Sequence, residues 1–580
     1  MRDHFRIMKV DLSRGKAEIQ RLDGRDDVAG GSGLAALIFG KYGLADRPWD
    51  HPEQPLIFAI GPLTGYFPLM SKTVCAFKSP YHDQYTESHA GGRSALSLAF
   101  AGLDALVITG RSAGPCCVAI GSRKFELQPA GFLWGMDVLR AGKVLRSMFK
   151  ASSGHRSILR IGQAGENRLA MAGINADTYR HFGRLGGGAV MGAKNLKAIV
   201  INGDSTLDHP ASREYADLYK KVFEQVIDTG MMKKYHDLGT PANIMSLNSL
   251  ESLPWRNLQA SSDPEAEAIS GERFARDALL RNIACAGCPV GCIHVGFVRE
   301  KFMEDNRYMY KQVAYDYEPI FAAGSMLGVA NCFSVLNIMD AMERVGLDVI
   351  SAGVALAWAT EATERGLIGA KETLIPLGFG NAEAYKKAAY YLGTAANDFY
   401  RLLGQGTLKA ADRYGGGEFA CVLGQEMAGY ATGELFFAAQ SLGFRHSHLD
   451  SGAYSYEQKH AERDLEKMVD FLMEDEVPRT FLTSMVACLF ARGVYRPEVL
   501  SECLDVLGYK ELSGNMAETS SYIRRLRWKT RFSTGFDPDS ITIPKRFYKV
   551  RSWKGPVDPE YLKALKARYA ERLKALVQES

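Results

Sequence analysis

The 580-residue chain has no apolar run approaching the roughly 18–20 residues that a membrane-crossing helix needs, so no transmembrane segment and no membrane partner are expected. Its start, MRDHFRIMKVDLSRGKAEI, lacks an apolar h-region, a small-residue cleavage site and a twin-arginine pair. Charge of one sign is missing too. Lys+Arg 70 against Asp+Glu 66 leaves +4, too little for a general polyanion binder, which argues against nucleic acid as a partner. Ten cysteines are too few for a disulfide scaffold. No internal repeat and no low-complexity tract is present. These absences predict a cytoplasmic protein with reduced thiols. What is there reads as globular: 46% apolar and 23% charged residues exclude disorder and collagen. A chain this long buries roughly three quarters of its unfolded surface, so its core needs no staples. Glycine is frequent, at 58 residues, which suits backbone held close to a ligand.

The first 200 residues read as strands. PLIFAIGPLTG, KTVCAFKSP, DALVITGRS, GPCCVAIGS, RSILRIGQAG and NLKAIVINGD are short β-rich runs bounded by Gly, Pro or Ser. From Ser212, a candidate N-cap, apolar residues recur at three- and four-residue intervals. SVLNIMDAMERVG, VISAGVALAWATEATERG and NAEAYKKAAYYLGTAANDFYRLLGQG predict three further helices, and YLKALKARYAERLKALVQES a terminal amphipathic one. Strands followed by helices argue against one parallel sheet. The expectation is an α+β chain. A β-rich base spans 1–208, and two mainly helical domains span 209–415 and 416–580, divided at the glycine-rich loop 411–420.

The strongest chemical signal is Cys285-Ala-Gly-Cys288-Pro-Val-Gly-Cys292. Three thiolates in eight residues, among Gly and Pro, suit a tight loop around one metal centre. An iron–sulfur cubane needs a fourth thiolate, which can come from far away: Cys332, Cys421, Cys488 or Cys503. Zinc is the alternative, though it more often uses a second CxxC or an HxxxH pair. His294 reads as a solvated loop histidine and a spare ligand.

Two glycine-rich loops pair bare backbone with a guanidinium, which suits a phosphate-bearing cofactor: His89-Ala90-Gly91-Gly92-Arg93 and Arg184-Leu185-Gly186. Neither these nor Gly30-Gly31-Ser32-Gly33 fits a dinucleotide or Walker pattern. Asp316 and Glu318 sit among aromatics, where burial would raise a carboxyl pKa and make a base near neutral pH. His446 and His448, at i and i+2, are candidates for metal binding or catalysis.

Together these segments resemble the aldehyde ferredoxin oxidoreductase family, the tungsten (or molybdenum) bis-pterin enzymes. The run 61–65 (GPLTG), Lys78-Ser-Pro80, the Gly91-Gly92 loop and the segment 188–200 match the family's base domain. Cys285, Cys288 and Cys292 match its cluster triplet, and Cys488 its fourth ligand. Glu343-x-x-Gly346-Leu347-Asp348 matches its first pterin motif, with Glu for the first Asp. The second motif, Asp-x-x-Gly-Leu-Cys, reads Thr483-Ser-Met-Val486-Ala487-Cys488. Lys72 stands where the family has an Arg contacting pterin and cluster, and His89 replaces an Asn whose backbone binds magnesium between the pterin phosphates.

The resemblance implies a [4Fe–4S] cluster, a tungsten or molybdenum bis-molybdopterin and a bridging magnesium. It implies oxidation of an aldehyde to the carboxylic acid, with electrons leaving to ferredoxin or an Fe–S partner subunit. Glu318 is then the base and His448 the hydrogen-bond donor to the substrate oxygen, with His446 as the alternative. Reduction of a carboxylate or acyl thioester with the same cofactors, or a redox-inert zinc or Fe–S scaffold, are the competing readings. A homo-oligomer is compatible with all of them. Finally, residues 524–554 carry ten Lys/Arg against two Asp/Glu, either a docking patch for an acidic carrier or a tail whose bases pair internally.

Overall fold

The computed structural model describes residues 3–149, 155–301 and 307–579. Two six-stranded sheets form the N-terminal part. The first runs in space as Lys16–Leu22, Phe5–Asp11, Ala105–Thr109, Leu56–Ala59, Thr73–Lys78 and Tyr85–Ala90. The second runs as Arg180–Phe182, Ile174–Ala176, Arg156–Arg160, Leu196–Asn202, Cys116–Ile120 and Phe125–Pro129. Each sheet is antiparallel except for one parallel pair, Phe5–Asp11 beside Ala105–Thr109 and Leu196–Asn202 beside Cys116–Ile120.

Alternate side chains of the first sheet enter different cores. Leu56, Phe58, Cys75, Phe77, Leu106 and Ile108 pack with Val118, Ile120, Ile199 and Ile201 of the second sheet. Ile57, Ala59, Val74, Ala76, Ala105 and Val107 join the core of the helical region. Both faces are therefore covered, which is why these strands read as continuous apolar runs rather than as alternation.

A helical region follows, so the chain is a β-rich base with helices after it. The hydroxyl of Ser212 accepts from the Tyr215 N–H at 3.2 Å and starts the helix Arg213–Ile227. One expected helix is broken in two, Ala382–Gly393 and Asp398–Leu403. Ala395 turns left-handed, φ 50, and the Asn397 side chain caps the second helix by accepting from the Tyr400 N–H. The cysteine triplet was expected in helical surroundings. It lies instead on the connection between two strands of a small antiparallel sheet, Leu279–Ile283, Ile293–Lys301 and Tyr308–Tyr315. Among the described residues no single helix is long and apolar enough to cross a membrane.

Part of the basic stretch 524–554 folds inward, while Lys529, Lys545, Lys549 and Arg551 stay exposed. Arg527 pairs with Glu87 at 2.8 Å, Arg546 with Glu361, and Lys554 with Glu457 and Glu434.

Candidate active site

Leu69 draws distant segments together through its backbone. Its N–H donates to the Gly287 carbonyl and its carbonyl accepts from the Cys488 N–H, both at 3.0 Å. The Ala286 N–H donates to the Gly92 carbonyl at 3.0 Å and the Lys72 N–H to the Val486 carbonyl at 3.1 Å. Cys285, Cys288, Cys292 and Cys488 consequently line one cavity of about 220 Å³. Cys332, Cys421 and Cys503 are buried in the apolar core and line none of it. Gly91 has to be glycine, because a Cβ there would lie 2.7 Å from the Cys285 sulfur. Among the described residues no three His, Cys, Asp or Glu side chains converge on a point where one ion would touch them all. Zinc would need ligands about 2.0–2.3 Å from one centre, so thiolates spread around a cavity fit a polynuclear cluster better. His294 is not a solvated loop residue. It is fully buried, and its Nε2 lies 2.9 Å from the His236 carbonyl.

Two cations stand among these sulfurs. Burial alone would lower the Lys72 pKa, but Cys488, Cys285 and Cys292 outweigh it and leave the ammonium favoured. Arg180 responds in the same way, with Asp316 and the same three cysteines offsetting its burial. It lines the cavity from the strand Arg180–Phe182, and its Nη1 lies 3.4 Å from Asp316 Oδ2. A guanidinium thus stands beside the thiolates, although Lys72 supplies none itself.

Glu318 and His448 share the cavity wall with the cysteines. Glu318 Oε1 accepts from the Tyr430 hydroxyl at 2.8 Å and lies 3.0 Å from His448 Nε2. The pKa of Glu318 is lowered, not raised as expected. Burial does push it up, but the His448 charge and the hydrogen bonds from His448 and Tyr430 more than reverse that. Asp316 does follow the burial expectation, its pKa raised by desolvation. A carboxylate only accepts, so the pairing puts the His448 proton on Nε2. Nδ1 of His448 is buried without a protein partner. His446 lines no part of this cavity and both of its nitrogens are engaged. Nε2 accepts from Arg531 Nη2 at 2.7 Å, and Nδ1 lies 3.2 Å from the Gln440 carbonyl. Burial and the Arg531 charge hold it neutral, which suits a structural role rather than the catalytic one considered for it.

The glycine loops divide. His89 lines the same cavity, between Glu87 Oε2 at 3.0 Å and Arg445 Nη1 at 3.1 Å, with a pKa lowered to about 4 by burial and Arg445. Ala90 is buried at the end of its strand. Arg93 is exposed and lines an outer cleft instead. Arg184 donates through Nη2 to the Glu426 carbonyl, its Nε lies 3.7 Å from Asp348 Oδ2, and its buried Nη1 has no hydrogen-bond partner. Leu185 and Gly186 turn left-handed, with φ 70 and 89.

Glu343, Gly346, Leu347 and Asp348 line a second cavity of about 90 Å³. This loop docks on the base, the Gly173 N–H donating to the Gly346 carbonyl at 3.0 Å and the Asp348 N–H to the Met171 carbonyl at 2.8 Å. Asp348 caps the helix Val349–Glu364. Burial, reinforced by Asp340 and Asp316, raises Glu343 to about 8. Val486 and Ala487 line the first cavity. Arg180, Tyr430 and Asn175 of the second cavity had no sequence signal. Arg445 had a weak one, its neighbour His446 and its ion-pair partner Asp450.

Family models cover most of the chain. "Aldehyde ferredoxin oxidoreductase, N-terminal domain" matches residues 7–203, and "Aldehyde ferredoxin oxidoreductase, domains 2 & 3" matches 217–575. A tungsten-containing aldehyde ferredoxin oxidoreductase of Pyrococcus horikoshii is 29% identical over 95% of this chain and 92% of its own. One of Pyrococcus abyssi is 32% identical over 65% of this chain, a match spanning 62% of that relative. The WOR-like subunit of an aliphatic sulfonate oxidoreductase of Pyrococcus furiosus is 28% identical over 70% of this chain and 66% of its own. Among solved structures, the active-site complex BamBC of benzoyl coenzyme A reductase superposes with a TM-score of 0.81 over 98% of this chain and 95% of that one, at 20% identity. The likeness to that structure is one of fold. With both family models matched in order across base and helices, the chain belongs to the aldehyde ferredoxin oxidoreductase family, a family of oxidoreductases.

Proposed function

We propose that this chain oxidises an aldehyde to the carboxylic acid at a tungsten (or molybdenum) bis-pterin. Its electrons leave through a [4Fe–4S] cluster to ferredoxin or an Fe–S partner subunit. The observation that carries this reading is the buried His448–Glu318 pair on the wall of the cavity lined by the four cysteines. The donor set fits the cofactors. The unpartnered Nη1 of Arg184 would suit a pterin phosphate, and the backbone of His89 and Ala90 would be the group to hold magnesium. Glu343 and Asp348 suit the polar edge of a pterin, and Cys285, Cys288, Cys292 and Cys488 a cubane. When bound, the metal–pterin supplies the two-electron chemistry.

The net reaction, RCHO + H₂O → RCOOH + 2H⁺ + 2e⁻, needs a group that accepts a proton beside the substrate. The lowered pKa of Glu318 makes it a weak base and a good partner for an imidazolium. With the neutral His448 ring held from Nε2 by Glu318, and Glu318 held by Tyr430, the unpartnered Nδ1 is the atom left to accept that proton. An inert scaffold would gain nothing from this buried acid–imidazole pair.

Aldehyde-dependent viologen reduction by anaerobically purified protein tests the reading, together with elemental analysis for tungsten, molybdenum, iron and zinc. Glu318→Gln and His448→Gln are expected to lower kcat about 10²- to 10⁴-fold with cluster absorbance retained. Wild-type turnover by His448→Gln would remove the assignment of Nδ1, and zinc without iron would remove the cluster. Turnover of a carboxylate or acyl thioester with reduced viologen, and none with aldehydes, would favour the reductive reading.

A further inference from the structure

The small sheet that carries the cysteine loop has two unlike faces. On the inner face Lys311 is neutralised by Glu300 at 2.5 Å and Asp340 at 3.3 Å, while Val298, Val313 and Tyr315 enter the core. The strand register puts Arg281, Phe297, Arg299, Lys301 and Tyr310 on the outer face. Arg281, Arg299 and Lys301 are exposed, and Tyr310 is 62% exposed. Phe297 and Tyr310 stack with ring centres 5.5 Å apart, and the Arg299 guanidinium lies 3.8 Å from the centre of the Tyr308 ring. Arg281 donates to the neutral Gln312 amide oxygen at 2.9 Å. Among the described residues no carboxylate pairs with any of these three cations.

Beside this face the surface turns concave. A cleft of about 470 Å³ gathers Arg93, Arg146, Arg156 and Arg180 against one carboxylate, Asp177, among the described residues. Asp177 already accepts from the Arg93 N–H and the Ser157 hydroxyl. The opposite wall of the cleft is Ile283, Ala284 and Ile293, the base of the cysteine hairpin. Ala284 is exposed and adjoins Cys285, so one residue separates a cluster sulfur from this surface.

We propose that the outer sheet face and the arginine cleft form the docking surface for an acidic electron-carrier protein. The proposal rests on the redox reading above and goes further by placing the partner. Cations that no carboxylate pairs among the described residues give steering and specificity toward an acidic patch. Arg, Tyr and Phe are enriched at protein interfaces. The cleft ends at Ala284, the residue next to Cys285. In the basic stretch 524–554, by contrast, Arg527, Arg546 and Lys554 pair with buried acids, while Lys529, Lys545, Lys549 and Arg551 are exposed.

The test uses the full-length holoprotein and an acidic two-cluster bacterial ferredoxin as probe, with binding measured by isothermal titration calorimetry at low and high salt. The Arg281→Glu/Arg299→Glu double variant and Tyr310→Ser alter exposed side chains. Arg213→Glu, on a distant helix and 94% exposed, is the control. The double variant is expected to bind at least about tenfold more weakly, Tyr310→Ser several-fold more weakly, and the control like wild type. Wild-type affinity is expected to fall as salt screens the surface. The KM for ferredoxin should rise with Kd while viologen-linked kcat stays unchanged. Unaltered affinity in the double variant, or no binding by the wild type at low salt, would overturn the proposal. Loss of viologen turnover in the wild type would count against the redox reading instead, since the binding comparison does not depend on turnover.

Discussion

Two loops close two long helices over the base, in matching geometry and with different chemistry. The helix Cys332–Val345 ends at Gly346, φ 81; the helix Leu465–Ser484 runs through Met485 to Val486, φ 54. Each loop lies against bare backbone. A Cβ on Gly162 would lie 2.4 Å from the Val345 carbonyl, and one on Gly31 would lie 2.3 Å from the Thr483 carbonyl. The first loop keeps Glu343 and Asp348 at a cavity. In the second, Thr483, Val486, Ala487 and Cys488 line the other cavity, but the Thr483 hydroxyl donates to the Thr480 carbonyl at 3.0 Å and no carboxylate is offered. Backbone placement and side-chain chemistry are thus separable. Contacts with the base hold a β-branched residue in a conformation it rarely adopts, at a cost of about 1–2 kcal/mol.

The difference can be broken from either side. Gly346→Val should destabilise most, by at least about 2–3 kcal/mol in urea unfolding, because φ 81 is strained and a Cβ would lie 2.7 Å from the Gly162 N. The mirror change, Val486→Gly, should lie within about 1 kcal/mol of wild type, since relieved strain offsets lost burial. Equal losses in the two would contradict an imposed left-handed turn at 486.

Glu343→Gln should have the next largest effect, visible in pH dependence. With its folded pKa raised to about 8 from 4.5, Glu343 holds its proton more tightly in the folded protein. Its contribution is complete below pH 4.5 and is lost as pH rises toward 8. Asp340 and Asp316 add to that loss, while Arg180 and Arg344 oppose it. In cofactor-free protein the glutamine variant should therefore match wild type near pH 4.5 and exceed it near pH 8, by at most about 4 kcal/mol. Parallel stability curves would show that Glu343 ionises freely. The smallest effect belongs to the other loop. Thr483→Val removes one hydrogen bond and should cost about 0.5–1 kcal/mol without altering pterin content. A large loss of pterin would mean that the threonine hydroxyl reaches the cofactor after all.

Legibility followed distance along the chain. The cysteine triplet could be read because its three members lie within eight residues. Cys488 could not be told from Cys332, Cys421 or Cys503 by spacing, and only the resemblance singled it out. Six strands of the base were legible because burial on both faces made them plainly apolar, whereas half-exposed strands such as Lys16–Leu22 and Phe125–Pro129 were not. The small sheet was not, since LLRNI and YMYKQVAY mix exposed polar and buried positions. Burial of Glu318 could be anticipated from its aromatic neighbours, but His448 lies 130 residues away, and that partner set the sign of the pKa shift. Arg180 and Tyr430 entered the site through folding alone.

Leu69 has a consequence in time as well as in space. It clasps the triplet loop and the Cys488 segment through one peptide unit on either side, and Cys488 follows Cys292 by roughly 200 residues. At roughly 5–20 residues per second, a ribosome needs about 10–40 s to bridge that gap. Throughout it the nascent chain carries three clustered thiols and an empty clasp. A centre held by all four cysteines would therefore be completed late in the life of the chain, and until the C-terminal helices arrive the first three thiols would need shielding.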